Sequence, residues 1–331
     1  MTFTILVTAP KLAAAGMDYL KKAGCRVLLL EGTKDAAEVE QLLANNEVHG
    51  VISRTVDLTA KAIAASPHLK VICKHGVGVS NIDLAAASAR GIPVFVTPGA
   101  NATSVAEMTV ALMLAAARRV CWMDREIRDG RWSRAQDGLQ LSGRTLGLVG
   151  FGQIGQRVAR VALSLGMKVI AYDPAAPAES PLLGVSLMDS LDSLLLRANV
   201  LSLHIPLNAH TRHLIDARAL ALLPAGAILV NTARGEVVDE AALIAALDSG
   251  HLFAAGLDTT AHEPIEADSS LLNLHNVVLT PHVGGSTPSA LEAMALGAAT
   301  HVLGFLQGSQ PAERACVNPQ VLQQATEPVT L

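Results

Sequence analysis

Three side chains of this sequence have the types and spacing to do chemistry together. Arg234, Glu263 and His282 each follow a short apolar run rich in strand-forming residues, at 227–232, 253–258 and 277–281. In open α/β sheets ligands bind beyond the carboxyl ends of the strands, so residues just after successive strands are the first candidates. A guanidinium, a carboxylate and an imidazole placed this way suit hydride addition to a carbonyl carbon. That reaction builds negative charge on oxygen, which calls for a proton donor that works near neutral pH and a fixed cation. His282 can give the proton, and a neighbouring Glu263 favours its imidazolium form. Arg234 can hold a carboxylate or polarise the carbonyl with its planar fork. Gly235 is expected to leave backbone room for a ligand beside Arg234, and Gly284 and Gly285 flank His282.

A hydride needs a carrier, and the stretch TLGLVGFGQIGQR at 145–157 supplies a seat for one. It reads as a buried strand, a glycine turn and a helix. Gly150 permits the tight turn, Gly152 lets a pyrophosphate approach the backbone, and Gly155 lets the helix pack on the strand. Free N–H groups at the start of the helix, around Gln153 and Ile154, then face the phosphates. Ile154, Val158, Val161, Ala162 and Leu165 form one apolar face, with Gly166 as the stop. The next strand ends in Asp173, at about the 20-residue spacing at which a carboxylate accepts from the ribose hydroxyls. The same charge repels a 2′-phosphate, and Pro174-Ala175-Ala176 offers no cation, so NAD is expected over NADP.

Composition bounds the rest. The 331 residues, 50% hydrophobic and 16% charged, allow two globular domains. A net charge of −4, no basic cluster beyond pairs such as Lys21-Lys22, and 3% aromatics argue against a nucleic-acid partner. Cys25, Cys73, Cys121 and Cys316 lack the spacing of a zinc site or disulfide framework, and no metal is expected; a reducing cytoplasm fits. The N-terminus reads as a first strand without a basic leader. The apolar run at 108–117 is about half of the roughly 20 residues that cross a bilayer, so no membrane role is expected.

Strand-like and helix-like runs alternate along the chain, which implies parallel, doubly wound sheets. The expected architecture is α/β: a Rossmann cofactor domain at 100–285, of about six strands, inserted into a flavodoxin-like substrate domain at 1–99 and 286–331. A helix at 289–306 is expected to return to the first domain, and the tail beyond Gln307 to be peripheral. Ser104 and Glu107 match a capping box opening an apolar helix that runs to Arg119. That helix has almost no polar face, so it is expected to be buried between domains or subunits, and a homodimer is inferred.

These features together resemble the D-isomer-specific 2-hydroxyacid dehydrogenase family, in its short, phosphoglycerate dehydrogenase-like form. The resemblance covers about residues 50–290 and is carried by KHGVGVSNID at 74–83, NATSVAE at 101–107, GLVGFGQIG at 147–155, HIP at 204–206, NTARG at 231–235, LD at 257–258 with Glu263-Pro264, and LTPH at 279–282. It implies Arg234, Glu263 and His282 as the catalytic set. Cofactor contacts are implied along the glycine turn and Asp173, and at His204, Pro206, Thr232, Ala233, Asp258 and Gly284, with Asp258 on the nicotinamide carboxamide. Val77 and Gly78 are implied as N–H donors to the substrate carboxylate, and Ser53, Arg54 and Asn101 as substrate-lining positions. Thr259-Thr260-Ala261 departs from the usual Val, aromatic and polar residues, which bears on the pocket wall.

The implied activity is reduction of a small 2-oxo acid, in a cleft between two domains that closes to expel water. Arg54 and Lys74 near strand ends tilt the substrate towards phosphohydroxypyruvate, with hydroxypyruvate or glyoxylate as the alternative. His204 reads as a wall of the adenine pocket. His75 either adds positive charge for an anionic substrate or caps a strand. From another class, a non-catalytic NAD-sensing co-regulator shares the fold.

Overall fold

The computed structural model describes residues 2–324 except 34, 133, 135–137, 178 and 310–312. The chain forms two α/β units, one of residues up to Asn101 together with those from Thr287, the other Ala102–Ser286. These limits differ by one or two residues from those expected, because they follow helix starts: one helix opens at Ala102, and Thr287 caps another by accepting the Ala290 N–H.

The first unit holds a parallel sheet of β1 (Thr4–Val7), β2 (Arg26–Leu29), β3 (Gly50–Ser53), β4 (Val71–Lys74) and β5 (Val94–Phe95), in the order β2-β1-β3-β4-β5. That is a flavodoxin-like order, with its switch point between β1 and β3. Strands covered on both faces are apolar without alternation, as β1 and β3 are. Between them run α1 (Ala14–Lys22), α2 (Ala36–Asn45), α3 (Ala60–Ala65) and α4 (Leu84–Ala89). Asp35, Thr59 and Asp83 start the last three by accepting a first-turn N–H.

The second unit opens with α5 (Ala102–Arg118) and α6 (Val120–Arg128), separated by Arg119 in the left-handed region at φ 52°. Ser104 lies inside the first turn of α5 and is buried, so it does not cap the helix; Asn101 stands at that end. The apolar face of α5 is covered by its own unit, against β10 and β11, as the sheet core shared by Leu112, Met113, Val230 and Ala254 shows. Its burial therefore needs no second domain or subunit. There follow β6 (Thr145–Val149), α7 (Gln153–Ser164), β7 (Lys168–Tyr172), β8 (Val185–Leu187), α8 (Leu191–Leu195), β9 (Val200–Leu203), α9 (Ala217–Leu222), β10 (Ala227–Asn231), α10 (Glu240–Asp248), β11 (Leu252–Leu257) and β12 (Val277–Leu279). The sheet is parallel with seven strands, β12-β11-β10-β9-β6-β7-β8, and its strand order reverses between β6 and β9. β8 is the strand beyond the six expected; at three residues it is too short to leave a period in the sequence.

The chain then returns to the first unit as α11 (Pro288–Leu306), whose 19 residues are long and apolar enough to cross a bilayer by length and composition. Its apolar face is instead core: Ala295, Ala298, Ala299 and Val302 pack with α1 and the sheet. Gly16 makes the α1 contact possible, since a Cβ there would lie 2.6 Å from the Ala295 carbonyl oxygen. Part of the tail is also core. Cys316 and Asn318 are buried, and Asn318 accepts the Val94 N–H at 2.8 Å and donates to Ser88 Oγ and Ile92 O. The peripheral reading therefore fails up to α12 (Gln320–Gln324) and, beyond it, lies outside the described residues.

Candidate active site

His282 and Glu263, 19 residues apart in sequence, meet at the ends of neighbouring strands, with Nδ1 of the imidazole 2.7 Å from Oε2 of the carboxylate. That bond assigns Nδ1 to Glu263 and leaves Nε2 as the ring nitrogen that can face a reacting group. Both side chains are partly exposed, at 44% and 39%, so the pair is reachable. Burial alone raises the Glu263 carboxyl, but the His282 hydrogen bond and charge, the Thr260 N–H and the Arg234 charge outweigh it and hold the group below its ordinary value.

His282 sits in the left-handed region at φ 54°, uncommon for a residue with a side chain. Its N–H donates to the carbonyls of Asp258 and Thr280, at 2.8 and 3.0 Å. The loop around it is tied to Asp258, which is buried at the end of β11. Oδ1 accepts from the Thr280 hydroxyl at 2.6 Å and the Val283 N–H at 3.0 Å, and Oδ2 from the Gly284 N–H at 2.8 Å. A Cβ on Gly284 would lie 2.8 Å from that carboxylate. Gly284 thus ties the histidine loop to Asp258. Asp258 itself is the anchor of the histidine loop, and Thr280, unremarked in the sequence, completes it.

Arg234 follows β10 on a loop stapled by Asn231, whose Oδ1 accepts the Ala233 N–H at 3.0 Å and whose Nδ2 donates to Arg234 O at 2.8 Å. Burial pushes the guanidinium below its ordinary value, while the charges of Glu263 and Glu236 pull it back up. The sequence contains Asn231 within NTARG, but only coordinates reveal the staple. Gly235 also changes meaning: a Cβ there would fall 2.0 Å from the backbone of Thr260. The close approach it permits is to the Glu263 turn. Thr232 is buried with its hydroxyl 2.8 Å from that of Thr109 on α5, which fixes the loop from below.

The glycine turn lies at the reversal point of the sheet, and its glycines differ in what surrounds them. Gly150 has φ 95°, and a Cβ would meet His204 O at 2.4 Å. At Gly155 a Cβ would meet Gly150 O at 2.4 Å, whereas at Gly152 it would meet open space. Gln153 and Ile154 open α7, where first-turn N–H groups have no intrahelical acceptor. Asp173 stands beside the turn, accepting from the N–H groups of Phe151 at 2.8 Å and Ala175 at 2.9 Å. His204 packs under the turn with Nε2 2.9 Å from Ser202 Oγ, and burial pushes it down to about 4, so it is a neutral wall. Pro206 follows exposed. Space over Gly152, free N–H groups and a carboxylate at the next strand end fit a dinucleotide.

In the first unit, the ends of β3 and β4 carry the remaining candidates. Asn81, not singled out from the sequence, is their hub: Nδ2 donates to Ser53 Oγ, Arg54 O and Val56 O, at 3.1, 3.1 and 2.8 Å. The Lys74 ammonium donates to Asn81 Oδ1 and Arg54 O. Ser53 is fully buried and the Lys74 ammonium joins this brace, so both support the loop that carries Arg54. The Arg54 guanidinium, by contrast, has no hydrogen-bond or ion-pair partner among the described residues, and burial lowers it from its ordinary value. His75 is buried and pushed down to about 4, by burial first and then by the charges of Arg54 and Lys74. It is neutral, so it adds no charge for an anion. Val77 is exposed, and with Gly78 it follows Gly76, which at φ 132° is bonded to Thr97 through both N–H and O. Asn101 lies partly exposed just before α5.

A nucleotide-binding sheet with a glycine turn, and a Glu–His pair and an arginine at its strand ends, define a dinucleotide-dependent oxidoreductase. The family model described as D-isomer specific 2-hydroxyacid dehydrogenase, NAD binding domain, matches residues 110–284. A hydroxypyruvate reductase of Thermotoga maritima is 44% identical over 282 residues, covering 82% of this chain and 91% of the relative. A D-3-phosphoglycerate dehydrogenase of Mycobacterium tuberculosis is 43% identical over 276 residues, 83% of this chain but 52% of the relative, so the chain spans about half of that protein's length. The crystal structure of an Aquifex aeolicus D-lactate dehydrogenase with NAD and lactic acid has a TM-score of 0.83 at 29% identity, covering 95% of this chain and 99% of the other. The chain belongs to the D-isomer-specific 2-hydroxyacid dehydrogenase family and is an NAD-dependent oxidoreductase acting on CH–OH groups.

Proposed function

We propose that the chain reduces a small 2-oxo acid to its D-2-hydroxy acid, with His282 as proton donor. The observation that carries this reading is the 2.7 Å bond between Glu263 and Nδ1 of His282, which leaves Nε2 to pass a proton to the forming alkoxide. Arg234 holds the acid's carboxylate or polarises its carbonyl through its fork. Bound NADH supplies the hydride. The residues that hold it are those of the glycine turn with Asp173, the wall of His204 and Pro206, and the backbone at Thr232 and Ala233. In the reverse direction His282 accepts the proton as the hydroxyl is oxidised.

Among substrates, the unpartnered Arg54 guanidinium favours an acid with a second anionic group, such as phosphohydroxypyruvate, with Val77, Gly78 and Asn101 offering N–H and amide groups to the anion. The second reading, hydroxypyruvate or glyoxylate, is favoured by Lys74, whose ammonium is taken up by Asn81 and Arg54 O and so removes one of the two expected cations. Ranking kcat/KM for NADH oxidation against phosphohydroxypyruvate, hydroxypyruvate, glyoxylate and pyruvate decides between them. A leading rate with the phosphorylated acid, lost in Arg54→Gln, supports the first; a leading rate with an unphosphorylated acid supports the second. No turnover with any of them leaves the co-regulator.

We also infer a homodimer in the cytoplasm. Val120 and Ile127, 53% and 51% exposed, put an apolar surface on α6, and Trp132, 75% exposed, follows it. The four cysteines are free thiols, as a reducing compartment keeps them. Light scattering on Ile127→Glu tests the dimer: a monomer supports this face, and an unchanged mass removes it.

A further inference from the structure

We propose that Thr260 and Glu240 are positioning residues for the Glu263–His282 pair, clamping the turn that presents Glu263 so that its carboxylate stays on Nδ1 of the imidazole. The inference rests on the acid–base reading of that pair. Thr260 Oγ1 donates to His262 O at 2.8 Å, closing the turn on itself. The Thr260 N–H donates to Glu263 Oε1 at 3.3 Å, steadying the oxygen that His282 does not use. From the first residue of α10, Glu240 Oε2 accepts the Ala261 N–H at 2.9 Å. Gly235 packs its backbone against Thr260 from the Arg234 side. The turn is thus held by its own hydroxyl, by a helix and by the neighbouring loop.

The need for a clamp follows from exposure. Glu263 is 39% exposed on irregular backbone, where a carboxylate has several rotamers and water competes for its oxygens. A charged hydrogen bond acts on a partner's protonation only while its geometry holds. Where the family resemblance expects an aromatic side chain, this chain has a threonine hydroxyl bonded within the turn. The ionisable groups around the pair are Arg234 after β10, Glu236 in the 3₁₀ turn that follows it, Asp258 under the histidine loop, His262 in the turn, and Glu240 on α10. Replacing Thr260 alters none of their charges.

The sign of the effect is set by which form of His282 works. Reduction needs the imidazolium, which the Glu263 carboxylate stabilises; a loosened carboxylate moves the alkaline fall of the reduction rate to lower pH. A residue that only supports the fold lowers kcat by one factor at every pH.

The test is the pH dependence of kcat for NADH-driven reduction in the full chain, with Glu263→Gln as reference. Thr260→Val keeps the shape and removes the hydroxyl, and Thr260→Ser restores it. Glu240→Ala removes the second anchor, at a side chain that lines an open hollow of about 220 Å³, and Glu240→Gln removes the same charge while keeping an oxygen for the Ala261 N–H. Thr260→Val and Glu240→Ala are expected to move the alkaline limb down by about half a pH unit or more, with a loss of about threefold or more on that limb and an unchanged KM for NADH. Thr260→Ser and Glu240→Gln are expected to keep the wild-type limb. If Glu263→Gln moves the limb while Thr260→Val and Glu240→Ala leave it in place, the clamp is wrong and the pair stands. If Glu263→Gln leaves the limb in place, the acid–base reading fails and the clamp with it.

Discussion

His282 is held by two sets of contacts that do different work. Its backbone is fixed in the left-handed region through Asp258, and its ring is oriented by Glu263. Thr259, between Asp258 and the clamped turn, is the poorly satisfied neighbour: it is buried and its hydroxyl has no hydrogen-bond partner among the described residues. Valine has the same shape without the hydroxyl, so Thr259→Val should raise unfolding stability by about 1 kcal/mol, read from the urea midpoint at an unchanged slope. A lower midpoint would mean that the hydroxyl is bonded after all. His75 and His204 make a second prediction. Both are held down to about 4 in the folded chain against an ordinary 6.5. Between those values the unfolded chain binds protons that the folded one refuses, so their contribution is complete above about 6.5 and is lost as pH falls towards 4. Each is worth on the order of 3 kcal/mol across that window. Urea midpoints from pH 7 to pH 4.5 should fall accordingly, and less steeply in His75→Asn.

The strand–turn–helix at β6 and α7 shows how far an element can be read without coordinates. Its strand, glycines, amphipathic face and terminal acid all follow from period and turn chemistry, because a strand buried on both faces and a helix buried on one leave different patterns. What each glycine is for was legible only in part. Gly155→Ala puts a Cβ 2.4 Å from a carbonyl oxygen and should cost both stability and NADH affinity. Gly152→Ala meets no protein atom within 4 Å, so it should melt like the wild type yet bind NADH more weakly, by isothermal titration. The brace of Asn81 and Lys74 was not legible, since it joins residues 20 and more positions apart through backbone carbonyls that carry no sequence signal. The motif pointed to Lys74 as a cation for substrate, and the coordinates add that its ammonium holds the loop of Arg54. Asn81→Ala should therefore raise KM for the acid about tenfold, with KM for NADH and kcat within about twofold. A rise in both KM values would make it a general support.

For the whole molecule, alternation of strands and helices was enough to place two parallel sheets and the return of the last long helix, because each element buries an apolar face of its own period. The short β8, the helix α6 and the burial of the tail around Asn318 were not, being set by tertiary contacts instead of local pattern. The proposed catalytic trio belongs to the legible part as a set of strand-end residues, and to the structure as a bonded pair with an arginine whose charge reaches Glu263. Proton transfer by His282 is the step on which the proposed reaction depends. Single-turnover reduction and NADH binding should be measured side by side on His282→Asn. The expected result is a loss of about 10² to 10⁴ in the reduction rate, with NADH affinity within about threefold of wild type. Reduction at the wild-type rate, with NADH still bound, would contradict it.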